Sequence, residues 1–492
     1  MKNLVPEFIL ENFQRKKLHG TLSAVTMFID ISGFTAMTQS LMKNGKEGAE
    51  ILTDIINTIF TPSIDKIYED NGFISTFAGD AFTSIFPLDK SSADNAILSA
   101  IKIQKIFKKI GIQDTKFGTF NLEVKIGLSI GEVEWRIINT DKKNDYFFRG
   151  EAIDNAAHCE SRCKAGEIVI DELLKKVISS STSKKEKGYF LISSIYTETL
   201  KPLKKQAIRR YDLHPFIPKS ILTLYSRGEF RGVISCFISF EEKGEFHKGL
   251  AKIISLAEDY GGYFNKIDFS DKGGVVLVLF GAPITKEKME IRACSFTLSV
   301  MEIDNFNCRI GLSYGVAFAG FVGSKKREEY TSLGMSVNLA SRFMMKARWK
   351  EIFIDRFIFN KVKENFDVSF IDNFKLKGFP EKIPAYKLLK KIELAKRTGF
   401  EGKLFGRETE LKKIKSLINK INTNKFGGII YNEGAAGIGK SRLIHEIKQS
   451  FPSNEYHWIY MPCDAILRKS FNPVKFFLSN LFIQSEQNTP ET

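Results

Sequence analysis

Lys125-Ile-Gly-Leu-Ser-Ile-Gly131 returns in the same chain as Arg309-Ile-Gly-Leu-Ser-Tyr-Gly315, 184 positions later. At the same offset Gly150-Glu-Ala-Ile-Asp-Asn-Ala-Ala-His158 falls on Gly334-Met-Ser-Val-Asn-Leu-Ala-Ser-Arg342. Two strand-turn-helix passages that keep their separation mark an internal repeat, so the chain holds two copies of one domain. Upstream the offset changes, as it does where loops differ in length. There Phe28-Ile-Asp-Ile31 pairs with Phe237-Ile-Ser-Phe240, and 81–87 pairs with 275–283. This divides the sequence into an N-terminal extension at 1–19, a first copy at 20–215, a linker at 216–220, a second copy at 221–390 and a third region at 391–492.

Each copy reads as mixed α/β. Residues 25–31, 233–240, 81–86 and 275–280 have the apolar, β-branched character of strands, and 46–68 carries Leu52, Ile55, Ile56 and Ile59 at helical spacing. The third region opens with LFGRE and contains FGGIIYNE at 426–433, read as a strand that ends in a glycine-rich turn.

At 492 residues the chain exceeds one hydrophobic core, and about 100 to 200 residues per domain suggests three. No stretch approaches the ~18 apolar residues of a membrane span, and Pro6, Glu7 and Glu11 interrupt the opening segment, so neither a span nor a signal peptide is expected. Six cysteines without paired metal-site spacing fit reduced thiols, hence a cytoplasmic location; Cys159 and Cys163, read as sharing a helix, lack a second ligand pair for zinc. The net charge of +16 is spread along the chain, and the clusters at 184–187 and 201–210 lack interleaved aromatics, which argues against a nucleic-acid partner.

Asp30 ends the apolar run AVTMFID, and Asp80 sits in the turn FAGDAF. Carboxylates at two adjacent strand ends can bind hard divalent cations, as Mg²⁺ on a nucleotide requires; they can equally be turn residues that satisfy backbone N–H groups. In the second copy their counterparts are Ser239 and Gly274, so metal binding belongs to the first. The second copy instead carries Asn338 and Arg342, spaced i, i+4 on one helix face, where the first has Asp154 and His158. An Asn to orient a sugar oxygen and an Arg to neutralise a pentavalent phosphate suit in-line attack on an α-phosphate; a surface Arg beside a capping Asn is the plainer alternative.

FIDISGFT, FAGDAF and EYTSLGMSVNLASR together resemble the class III nucleotidyl cyclases, and the tandem followed by a phosphate-binding loop resembles the soluble adenylyl cyclases. The resemblance implies an α+β cyclase fold in which the two copies form an intramolecular pseudo-heterodimer within a monomer. It implies ATP as substrate and two Mg²⁺, or Mn²⁺ in their place, held by Asp30, Asp80 and the Ile31 carbonyl. Asn338 and Arg342 become transition-state residues, Lys125 a phosphate contact, and Lys272 and Thr331 the adenine-binding pair. Guanylyl cyclases are expected to carry Glu and Cys at that pair, because guanine offers donors where adenine N1 accepts. One interface should then work and its twin be dead.

In resembling soluble cyclases the twin binds bicarbonate through a lysine and an arginine; this sequence has Thr76 at the lysine position and Ala157 and His158 near the arginine position, so bicarbonate activation does not carry over. The rival readings are a catalytically silent nucleotide-sensing module that regulates a C-terminal signalling NTPase, and a guanylyl cyclase.

In the third region Gly434-Ala-Ala-Gly-Ile-Gly439-Lys440-Ser441 matches G-x-x-x-x-G-K-[ST] before a helical pattern. Backbone N–H groups and Lys440 would cradle phosphates, and Ser441 would ligate Mg²⁺. Only 51 residues follow Ser441, and Asp464 does not end an apolar strand, so the expectation is a partial P-loop domain with weak nucleotide binding and no hydrolysis.

Overall fold

The computed structural model describes residues 3–89, 91–178, 181–194, 211–270, 273–379, 381–392, 404–421, 426–434, 438–451 and a few positions beyond. It divides into two compact units, 1–390 and 391–492.

The first copy comprises α1 (Glu7–Gln14), β1 (His19–Ser32), α2 (Phe34–Met42), α3 (Gly45–Glu69), β2 (Phe73–Ala78), β3 (Ala81–Pro87), α4 (Ser92–Ile110), β4 (Ile112–Thr115), β5 (Gly118–Asn121), β6 (Glu123–Ile138), β7 (Asp145–Arg149), α5 (Glu151–Ser161), β8 (Ile168–Asp171), α6 (Glu172–Lys175), β9 (Ser181–Glu186) and β10 (Tyr189–Ser194). The second comprises α7 (Lys219–Leu222), β11 (Gly228–Phe240), α8 (Phe246–Tyr260), β12 (Tyr263–Ser270), β13 (Gly273–Phe280), α9 (Met289–Met301), β14 (Cys308–Ser324), β15 (Arg327–Leu333), α10 (Met335–Lys346), β16 (Ile352–Ile354), α11 (Arg356–Val362), β17 (Phe366–Lys375) and β18 (Lys382–Lys391). The second unit contributes α12 (Glu408–Ile418) and α13 (Lys440–Gln449).

The repeat is visible in the sheets. One runs β2-β3-β1-β6-β8-β10-β9 with β7 on β6; the other runs β12-β13-β11-β14-β16-β18-β17 with β15 on β14. In both, the pairing of the third and fourth strands is antiparallel, and that of the fourth and fifth is parallel. The shared heptapeptide has a steric reason. A Cβ on Gly127 would lie 2.2 Å from the Ala156 carbonyl of α5, and one on Gly311 would lie 2.2 Å from the Ala340 carbonyl of α10. Glycine is what lets each helix lie directly on its sheet.

The two copies share a core. Phe318, Val322 and Leu333 of the second copy join the cluster built from β1, α2, α3 and α4 of the first. The N-terminal extension fastens both, since Val5 and Ile9 pack into the first copy while Leu4 packs against Ile221 and Val233 of the second. Asn3 Nδ2 also donates to the Lys325 carbonyl at 2.9 Å.

Two local expectations differ from the structure. Cys163 lies beyond the end of α5, after Cys159 on its last turn; both are buried free thiols whose pKa burial pushes up. Residues 426–434 carry no strand pairing, although their composition is strand-like; a strand is a paired object, and no described residue of the second unit pairs with it. Helix α13 forms where the RLIHEIKQSF pattern places it. Lys272, residues 201–210, 435–437, Cys463 and Asp464 lie outside the described residues.

Candidate active site

On the first copy's side, the cross-strand register of β1 and β6 sets Asp30 opposite Lys125. Asp80 lies at the tip of the β2–β3 hairpin, and β3 pairs with β1, so both carboxylates reach the same end of the sheet. The Thr35 hydroxyl, on the first turn of α2, donates to Asp80 Oδ2 at 3.2 Å. Lys125 Nζ stands 3.7 Å from Asp30 Oδ2 and 3.7 Å from Glu160 Oε1. Loss of solvation, and then the charge of Asp30, push the Asp80 carboxyl up to about 6, against the pull of Thr35 and Lys125. Burial, more than the neighbouring charge, is what disfavours the ionised form of Asp80. Two carboxylates and the main-chain carbonyl of buried Ile31 make an all-oxygen donor set that suits a hard divalent cation.

On the second copy's side, α10 starts against α2. Gln39 Nε2 donates to Met335 Sδ, and the space a Gly334 Cβ would take is 3.5 Å from the Met42 Cε. Asn338 is exposed and Arg342 half-buried, one and two turns along α10 on the same face. Thr331 is buried in β15, where its hydroxyl donates to Asn265 Oδ1 at 2.8 Å, while Asn265 Nδ2 donates to the Tyr330 carbonyl at 2.7 Å.

The lysine that meets this strand among the described residues is one that sequence reasoning passed over. Lys266 Nζ pairs with Glu329 Oε1 at 2.8 Å, two residues before Thr331, and donates to the Phe77 carbonyl of the first copy. A bulge between Phe264 and Lys266 lets Asn265 and Lys266 both address β15. The available signal was a charged residue in the middle of a half-buried strand, which has to find a partner.

The twin interface uses equivalent positions and fills them differently. Ser239 and Gly274 stand in register where Asp30 and Asp80 stand, Arg309 replaces Lys125, and Phe147 occupies the place of Thr331. The ring centroids of Phe147 and Phe269 are 4.8 Å apart, and Phe240 stacks on Phe246 at 5.7 Å. The Arg149 guanidinium lies 4.9 Å over Phe246 while bonding Glu134 and Glu242. Aromatic side chains and Arg149 thus pack together where the other interface has Asp30, Asp80 and Thr331. Thr76 faces the adjoining cavity of about 40 Å3 with its hydroxyl unpartnered; Ala157 is buried and His158 exposed.

In the second unit Lys440 Nζ donates to the Gly434 carbonyl at 2.7 Å, and Gly439, in the left-handed region at φ 98°, precedes α13. Ser441 follows on the first turn of that helix.

The family described as "Adenylate and Guanylate cyclase catalytic domain" matches residues 19–201 and 280–390, and the chain belongs to it. Among curated proteins it is similar to adenylate cyclase type 10 of Oryctolagus cuniculus and of Homo sapiens. Each is 24% identical, over 93% of this chain and 32% of the relative, so the chain spans about a third of their length. A solved class III adenylyl cyclase-like ATP-binding protein from Pseudomonas aeruginosa covers 73% of this chain and 94% of its own, with a TM-score of 0.51 at 13% identity, and shares the fold. No helix among the described residues is long and apolar enough to cross a membrane.

Proposed function

We propose that the chain is an adenylyl cyclase that converts ATP to 3′,5′-cyclic AMP and pyrophosphate at one site shared by its two copies. The observation that carries this is the division of labour across one interface. Asp30, Asp80 and Lys125 gather on the first copy, whereas α10, with Asn338 and Arg342, begins against α2. At the twin interface every one of those positions is altered.

Asp30, Asp80 and the Ile31 carbonyl would hold two Mg²⁺, or Mn²⁺, which when bound supply charge neutralisation and make the ribose 3′-hydroxyl more acidic. Lys125 binds phosphate oxygens once the nucleotide draws it from Asp30 and Glu160. Asn338 orients the ribose, and Arg342 meets the charge that builds on the α-phosphate during in-line displacement. No side-chain general base is assigned. Thr331 contacts the base edge, with Lys272, or Lys266 beside the strand of Thr331, as ammonium donor; such a pair suits adenine N1.

Bicarbonate activation is not proposed, since neither Thr76, Ala157 nor His158 supplies a fixed cation. The third region is read as a nucleotide-binding turn around Lys440 and Ser441. Cyclic nucleotide formation from ATP and from GTP, with Mg²⁺ or Mn²⁺, tests the assignment. Cyclic AMP from ATP supports it, cyclic GMP alone makes the chain a guanylyl cyclase, and silence with every combination leaves the nucleotide-sensing module.

A further inference from the structure

Arg327 is an arginine with 1% of its surface exposed, at the start of the strand that carries Glu329 and Thr331. Residues 327, 329 and 331 alternate onto one face of β15. From there the guanidinium reaches both copies. One terminal nitrogen donates to the Tyr146 hydroxyl of β7 at 2.8 Å, and the guanidinium carbon lies 5.6 Å from the centroid of the Phe77 ring of β2. The same nitrogen stands 3.8 Å from Glu329 Oε2, whose other oxygen binds Lys266. Lys266 in turn bonds the Phe77 carbonyl, so the second copy grips Phe77 by its ring and by its backbone. Phe77 precedes Asp80 by three residues and pairs across the hairpin with Phe82.

Burying Arg327 and Glu329, with Lys266 partly covered beside them, needs a reason beyond stability, because an apolar filling of the same volume would do as well. The geometry points to a positioning role that rests on the cyclase reading: we propose that Arg327 sets the placement of the Asp80 hairpin relative to the strand of Thr331, by tying Phe77 and Tyr146 of the first copy to Glu329 of the second. It touches no reacting atom. An ammonium cannot reproduce the planar fork that serves Tyr146, Phe77 and Glu329 together, so Arg327→Lys keeps the charge and loses the tie.

The test uses the full chain and four proteins: wild type, Arg327→Lys, Tyr146→Phe and, as a control on interface loosening elsewhere, Arg149→Ala. Mn²⁺ binding is titrated by electron paramagnetic resonance with a non-cyclisable ATP analogue, alongside Mg²⁺ dependence of cyclic AMP formation and thermal melting. The expected result is a weakening of metal half-saturation of about tenfold for Arg327→Lys and a few-fold for Tyr146→Phe, since small misplacements of site groups have effects of this size or larger. Arg149→Ala is expected to melt earlier with unchanged metal half-saturation. A folded Arg327→Lys with wild-type metal binding overturns the proposal, as does an equal shift in Arg149→Ala. If Arg327→Lys does not fold, an unshifted Tyr146→Phe overturns it alone. A wild type that binds Mn²⁺ but forms no cyclic nucleotide breaks the cyclase reading instead, and the binding titrations still decide the role of Arg327.

Discussion

At one interface of the repeat Asp30, Asp80 and Lys125 gather charge at one end of the sheet; at the other the equivalent positions are Ser239, Gly274 and Arg309, and Phe147, Phe240, Phe246 and Phe269 pack together. The two are built from the same strands in the same register. On the proposed function, the contrast is that of a duplicated site with one half retired. Once the metal carboxylates are gone, nothing opposes aromatic filling, and burial then stabilises the joint that the other half depends on. Gly274 records this step, because a Cβ there would lie 2.3 Å from the Phe240 ring.

The proposed division between the two interfaces is broken most sharply at Asp80 and Arg342. Asp80→Ala and Arg342→Ala should each lower cyclic AMP formation by on the order of 10³-fold, with circular dichroism and melting close to wild type. Near-normal turnover in either would remove the assignment of the two sides. On the twin side, Gly274→Asp forces a carboxylate into the aromatic cluster and should cost about 2 kcal/mol in denaturant unfolding without creating a second site. A doubled metal stoichiometry would contradict the aromatic closure.

The retained carboxylates also predict a pH signature that the twin lacks. With its pKa raised to about 6, Asp80 keeps its proton in the folded, metal-free protein at pH values where the unfolded chain has lost it. Its contribution to metal-free stability therefore falls as pH rises from about 4 to 6, and below 6 the proton competes with metal. Mg²⁺ half-saturation should rise by about tenfold per pH unit below pH 6, and Asp80→Asn should abolish metal-dependent activity and raise the melting temperature of the metal-free protein at pH 7. A flat metal affinity from pH 5 to 7 would contradict the raised pKa. The smallest expected effect is that of bicarbonate, which should change the rate by less than about twofold, because Thr76 and Ala157 place no cation at the expected positions and Arg149 is held by Glu134 and Glu242.

The duplication, the α/β class and the strand-end carboxylates were legible in the sequence because each depends on neighbours close in the chain. Asp30 and Lys125 became partners only through the β1–β6 register; Asp30 stood out by its place at a strand end, Lys125 only through the family resemblance. Lys266 and Arg327 were missed for the opposite reason. Their partners Phe77 and Tyr146 lie some 180 residues earlier; the charge placed inside the strand at KIDFS says that Lys266 needs a partner without saying which, and KKREEY does not announce that Arg327 is buried. The aromatic closure was invisible in the same way, since Phe147, Phe240, Phe246 and Phe269 read singly as ordinary core residues. At 426–434 composition misled, because β-propensity describes what a pleated surface accepts and says nothing about whether a partner strand is present.

The N-terminal segment that seats Leu4 in one copy and Ile9 in the other, with the short connection through α7, makes the two copies covalent companions. A site divided between separate molecules thins out on dilution, as its complement drifts away. If the site is shared as proposed, each half carries its complement along at an effective concentration in the millimolar range. The fraction of assembled sites would then be the same whether a cell makes few copies or many, and tuning of output would act on the assembled molecule itself.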